Sequence, residues 1–86
     1  MAKVEIYTWS YCPYCMQAKQ LLDSKNIEYT EYVIDDDESA RDAMVQRGTD
    51  GERSVPQIFI NNSHIGGNDA VQQLERQGRL DPLLRK

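Results

Sequence analysis

Two cysteines stand three positions apart near the start of the chain, Cys12 and Cys15, with Pro13 and Tyr14 between them. A pair at this spacing can do what a lone thiol cannot. A thiolate on the first cysteine attacks a disulfide, and the second displaces what has been captured. That chemistry needs residues 12–15 to be the opening turn of a helix, where positions three apart are neighbours and two sulfurs come close enough to bond. Pro13 suits such a turn, because the first helical residue has no N–H bond to lose. Cys12 then sits in the cap, where free N–H groups and the positive helix end favour thiolate over thiol. Cys15 lies one turn further in, less exposed, as the resolving thiol.

Other uses of the pair fit less well. A zinc site ordinarily takes four Cys or His ligands, whereas the chain offers two cysteines and one histidine, His64, so no metal is expected. A permanent disulfide across so short a loop would constrain the unfolded chain very little. Inert burial of both cysteines is the remaining alternative.

The elements that must position these residues can be read from pattern. Lys3 to Thr8 alternates apolar and polar residues and reads as a strand. Cys15, Ala18, Leu21 and Leu22 recur at helical spacing from Pro13 to the breaker Ser24-Lys25-Asn26. Tyr29 to Ile34 is again strand-like, so the first three elements form a βαβ unit with parallel strands and a right-handed crossover. Asp35-Asp36-Asp37 supplies caps for a second helix through Ala40, Ala43, Met44 and Arg47 to Gly48. Val55 to Ile60 is a third strand, Asn61-Asn62-Ser63 a turn, and His64-Ile65 a short antiparallel fourth strand. Gly67 or Asn68 caps a third helix carrying Ala70, Val71 and Leu74, and a last turn begins with Asp81 as cap and Pro82 as first helical residue. The order β-α-β-α-β-β-α predicts an α/β protein with a four-stranded mixed sheet and helices on both faces, the thioredoxin-like arrangement.

Size and charge narrow the function classes. The 86 residues, expected to form one domain over 1–86, carry 10 Lys and Arg against 14 Asp and Glu, a formal charge of −4. That balance, without a basic cluster, argues against nonspecific nucleic-acid binding. With 40% hydrophobic and 28% charged residues the chain is neither a disordered acidic tail nor a membrane protein. Met1-Ala2-Lys3 leads straight into the first strand with no room for a signal peptide, which makes the cytoplasm the expected compartment.

Taken together, Cys12-Pro13-Tyr14-Cys15 with Ala18-Lys19, Val55-Pro56-Gln57-Ile58-Phe59-Ile60, His64-Ile65-Gly66-Gly67 and Leu80-Asp81-Pro82-Leu83-Leu84 resemble a dithiol glutaredoxin, from Val4 to Leu84. The resemblance implies a glutathione-dependent thiol–disulfide oxidoreductase that reduces protein disulfides and protein–glutathione mixed disulfides, with glutathione as co-substrate. It implies a monomer whose partners are glutathionylated or disulfide-containing proteins, ribonucleotide reductase among them. It also implies a glutathione groove on Tyr14, Arg53, Ser54, Val55, Pro56, Gly67, Asn68 and Asp69. The bond before Pro56 would be cis, Val55 would pair with the cysteinyl part of glutathione as an added strand, and the start of the third helix at Asn68 and Asp69 would receive the γ-glutamyl end. Gly66 and Gly67 would let the backbone approach closely.

The chain departs from the family's pattern at one position. Many relatives have a lysine three residues before the first cysteine, facing the glycyl carboxylate of glutathione, where this chain has Trp9. Arg53 or Arg47 would then take over that carboxylate, or Trp9 would instead pack flat over the peptide. Lys19, two turns below Cys12, reads as an ion-paired or solvated residue, and His64 as a strand residue with no catalytic part, since a preformed thiolate needs no general base. Two other family roles stay open. One is a carrier sharing a [2Fe–2S] cluster between two chains, which Pro13 disfavours; the other is a protein reduced by thioredoxin reductase, which Trp9 permits.

Overall fold

A computed structural model describes residues 2–85. Its elements are β1 (Val4–Thr8), α1 (Pro13–Ser24), β2 (Thr30–Val33), α2 (Glu38–Gln46), β3 (Gln57–Ile60), β4 (Ser63–Gly66), α3 (Asn68–Arg76) and α4 (Leu80–Leu84). The strands form one sheet in the order β2-β1-β3-β4. β1 runs parallel to β2 and antiparallel to β3, and β3 pairs antiparallel with β4. This is the mixed sheet that the order of elements predicts.

The sheet is covered on both faces because β1 and β3 are central and alternate between two cores. Val4, Ile6, Ile58 and Ile60 pack with Ala18 and Leu22 of α1, Val71 of α3, and Leu80 and Leu84 of α4. Tyr7 and Phe59 point the other way, into Met44 of α2 and Ile34. All five residues of β1 are therefore buried, including Glu5 and Thr8. Each of those polar groups has partners. Glu5 accepts from Arg47 at 2.8 and 3.1 Å and from the Tyr32 hydroxyl at 2.8 Å, and Thr8 Oγ1 donates to Glu31 at 2.6 Å.

Local chemistry sets the element ends. Asp37 Oδ1 accepts from the Ala40 N–H at 3.0 Å and caps α2. Asn61 and Asn62 both have positive φ, 52° and 67°, which is the two-residue hairpin turn whose twist matches its strands. β3 starts at Gln57 rather than Val55, since Pro56 has no N–H for a ladder; the Val55–Pro56 bond is cis. β4 is longer than expected, Ser63–Gly66, and β2 shorter. Helix α4 begins one residue before Asp81 and takes Pro82 within its first turn, where an N–H has no intrahelical acceptor to miss.

Candidate functional site

Residues 9–12 leave β1 and turn into α1, with Cys12 extended (φ −151°, ψ 105°) as the cap and Pro13 as the first helical residue. Cys12 Sγ accepts from the Cys15 N–H at 3.3 Å, so the sulfur lies over the open end of the helix. Both cysteines are free thiols and both are buried, Cys12 at 8% exposure and Cys15 at 1%. Burial, together with the hydrogen bond to Cys12, pushes the Cys15 thiol up to about 12. Cys15 is thus the less exposed partner, a neutral thiol near neutral pH. Two rings stand out from the surface around them, Tyr11 at 86% and Tyr14 at 61% exposure.

A groove of about 370 Å³ begins at Tyr14 and runs past Ser54, Val55 and Pro56 to Gly67, Asn68 and Asp69. The structure therefore brings together seven of the eight residues expected along it. Its floor is tight: a Cβ on Gly67 would come 3.2 Å from the Pro56 carbonyl oxygen, and one on Gly66, at φ +130°, would come 2.9 Å from Ala70 Cβ. The far end is the start of α3, which Gly67 caps without any side-chain hydrogen bond. Its first N–H groups are left for whatever enters the groove, and the helix dipole favours an anion there.

Arg53 is the residue the structure does not bring in. Its guanidinium bonds Asp42 at 2.9 Å and Glu38 at 2.8 Å, two carboxylates of α2 that draw it away from the groove. Arg47 is engaged as well: it bonds Glu5 and the Tyr7 hydroxyl (3.0 Å) and lies 4.1 Å over the Phe59 ring. Neither lines the groove. The cation beside Trp9 is Arg41, whose guanidinium stacks 5.1 Å over the Trp9 ring, with Glu38 at a loose 3.8 Å and a buried Nε that has no partner. Trp9 packs against this arginine. Lys19 pairs with Glu31 at 3.0 Å, in keeping with an ion-paired face.

Glu52, Gln57 and His64 face the groove as well. His64 Nε2 donates to Gln57 Oε1 at 2.6 Å, and Gln57 Nε2 donates to the Ser54 carbonyl at 3.1 Å, which fixes the strand edge where Ser54 and Val55 enter. Burial lowers the His64 pKa, opposed by the Asp50 carboxylate, so the ring is neutral near pH 7. A polar Gln inside the otherwise apolar run of β3 was the signal in the sequence. Among the described residues, no three His, Cys, Asp or Glu side chains are grouped to hold a metal ion. No helix in the described residues is long and apolar enough to cross a membrane.

The glutaredoxin family model matches residues 4–65. A protein of Synechocystis sp. named "Probable glutaredoxin" is 57% identical over 83 residues, 96% of this chain and 93% of that protein. Glutaredoxin 3 of Escherichia coli (strain K12) is 49% identical over 85 residues, 99% of this chain and 100% of that protein. The fold is similar to that in the crystal structure of a buckwheat glutaredoxin–glutathione complex, with a TM-score of 0.88 at 32% identity over 98% of this chain and 77% of that one.

Proposed function

The chain belongs to the glutaredoxin family of thiol–disulfide oxidoreductases, and on that footing we propose that it draws its electrons from glutathione to reduce protein disulfides and protein–glutathione mixed disulfides. The observation that carries this reading is the start of α3. It presents uncapped N–H groups to the groove that begins at Tyr14, two residues from Cys12. A peptide with an anionic head fits there, and glutathione has one at each end.

On a protein disulfide, the Cys12 thiolate attacks one sulfur, that S–S bond breaks, and one substrate thiolate leaves and takes up a proton. Cys15 gives up its proton, attacks the Cys12 sulfur and releases the second substrate thiol, leaving a Cys12–Cys15 disulfide. Burial holds Cys15 protonated until then, so it does not compete as the first nucleophile. One glutathione opens the Cys12–Cys15 bond by attack at Cys12, and a second removes the first as glutathione disulfide. On a protein–glutathione mixed disulfide, Cys12 takes the glutathione itself and Cys15 is not required.

Glutathione lies along the groove in this reading. The Val55 backbone pairs with its cysteinyl part as a short added strand, beside Ser54, Pro56 and the Tyr14 ring. The γ-glutamyl carboxylate meets the N–H groups at Asn68 and Asp69, where Gly67 lets the backbone come close. Arg41, its guanidinium held in place by the ring of Trp9, takes the glycyl carboxylate. The chain acts as one domain over 1–86 and as a cytoplasmic monomer. Its substrates are glutathionylated or disulfide-containing proteins, with ribonucleotide reductase one candidate, and no metal takes part.

The test is turnover of a small glutathione mixed disulfide, coupled through glutathione reductase to NADPH oxidation. Rapid turnover that saturates with glutathione supports the reading. Turnover with thioredoxin reductase and none with glutathione contradicts it.

A further inference from the structure

The glutathione-linked reading leaves open which proteins are reduced. Resting on it, we propose that the face around Cys12 selects disulfides whose cysteines are flanked by lysine or arginine. Cys12 is only 8% exposed, so a substrate chain reaches its sulfur by lying against the surface around it. That surface is aromatic, with Tyr11 and Tyr14 standing out on either side of Cys12 in the chain.

Its charge is one-sided. Beside Tyr11 a second cleft, of about 470 Å³, carries Asp35, Asp36 and Glu38, with Arg41 against Trp9. On the Tyr14 side the groove carries Glu52 and Asp69 and neither lysine nor arginine. Arg53 neutralises Glu38. Among the described residues, Asp35, Asp36, Glu52 and Asp69 have no ion-pair partner, while Lys19 and Lys25 are held by carboxylates elsewhere. Four carboxylates without a paired cation thus line the two clefts beside Tyr11 and Tyr14, against Arg41 alone.

Glutathione is short enough for its own carboxylates to meet the α3 start and Arg41. The neighbours of a cysteine in a longer chain reach past them, over Asp36 and Glu52. Cationic side chains there are drawn in by the field and can lie on the Trp9 and Tyr11 faces, whereas acidic ones are repelled. The exchange is the one already described: Cys12 and Cys15 together give two electrons to the substrate disulfide, one proton comes from Cys15 and one from solvent, and two glutathiones restore the thiols.

Two short cyclic-disulfide peptides test this, identical except that Lys or Glu flanks each cysteine. Flanking charge also changes intrinsic thiol reactivity, so each rate is divided by that peptide's rate with free dithiothreitol. The Lys peptide is expected to be reduced about 10-fold more efficiently at low ionic strength, falling to about 2-fold at ~0.5 M salt. Combining Asp36→Asn with Glu52→Gln narrows the low-salt ratio to about 3-fold. Asn tolerates the left-handed backbone of residue 36 (φ 54°), and circular dichroism confirms that the variant is folded. Equal normalised rates, a ratio indifferent to salt, or one unmoved in the folded double variant would overturn the proposal. Turnover of a small glutathione mixed disulfide, measured on the same wild-type sample, separates this failure from failure of the glutathione reading itself.

Discussion

Glu5→Gln removes a charge from the middle of the sheet while keeping the shape of the side chain. In the wild type the Glu5 side chain is 5% exposed and bonds both guanidinium nitrogens of Arg47, which is 25% exposed. The Arg47 hydrogen bonds hold the Glu5 carboxyl below its ordinary 4.5, against the opposing effect of burial. Breaking a fully buried pair costs ~3–5 kcal/mol, but here water reaches Arg47, and Gln still accepts from Arg47 and Tyr32. The net loss is therefore about 2 kcal/mol, or about 8–16 °C in Tm for a chain of this size. The sign with pH follows from the lowered carboxyl: its contribution is complete above the ordinary 4.5 and disappears as pH falls through the folded value. Glu31, Asp35, Asp37 and Asp81 are lowered too, so both proteins weaken in acid. Only the difference between them isolates Glu5. Urea unfolding followed by circular dichroism gives that difference, expected at about 2 kcal/mol near pH 7 and smaller near pH 3. A gap of the same size at both pH values, or none near pH 7, would refute the reasoning.

Two further outcomes concern the proposed glutathione site. Gly66→Ala forces an L side chain into φ +130° and against Ala70, moving α3 off β4; it is expected to cost about 2 kcal/mol and to lower glutathione-dependent kcat/KM about 10-fold. Gly78→Ala, also at positive φ but with nothing within 4 Å, is the comparison: a smaller loss in urea unfolding and unchanged kinetics. Arg41→Ala is expected to raise the KM for glutathione about 10-fold with kcat nearly unchanged, as for one charge-assisted contact, and Arg41→Lys to recover part of it. Steady-state kinetics with varied glutathione reads this directly.

What the sequence discloses of this molecule depends on how local each feature is. The cysteine pair is legible because cap, Pro13 and one helical turn are neighbours in the chain, and Asn61-Asn62 because the turn needs nothing distant. Glu5 is not. In an alternating strand it reads as solvent-facing, yet β1 is covered on both faces, and only the arrival of Arg47 from α2 makes its burial tolerable. The arginines mislead for the same reason: Arg53 and Arg47 stand at suitable sequence distances, but carboxylates from other elements claim them, while Arg41 reaches Trp9 across a packed interface. Ion-pair partners are decided by tertiary structure, so residue type and spacing do not reveal them.

The division of labour between Cys12 and Cys15 is the central claim, and the most direct measurement compares Cys12→Ser with Cys15→Ser on two substrates, a protein–glutathione mixed disulfide and a protein disulfide. Cys12→Ser is expected to lose both activities. Cys15→Ser is expected to keep removal of glutathione and lose reduction of the protein disulfide. Removal of glutathione persisting in Cys12→Ser, or lost in a folded Cys15→Ser, would contradict it.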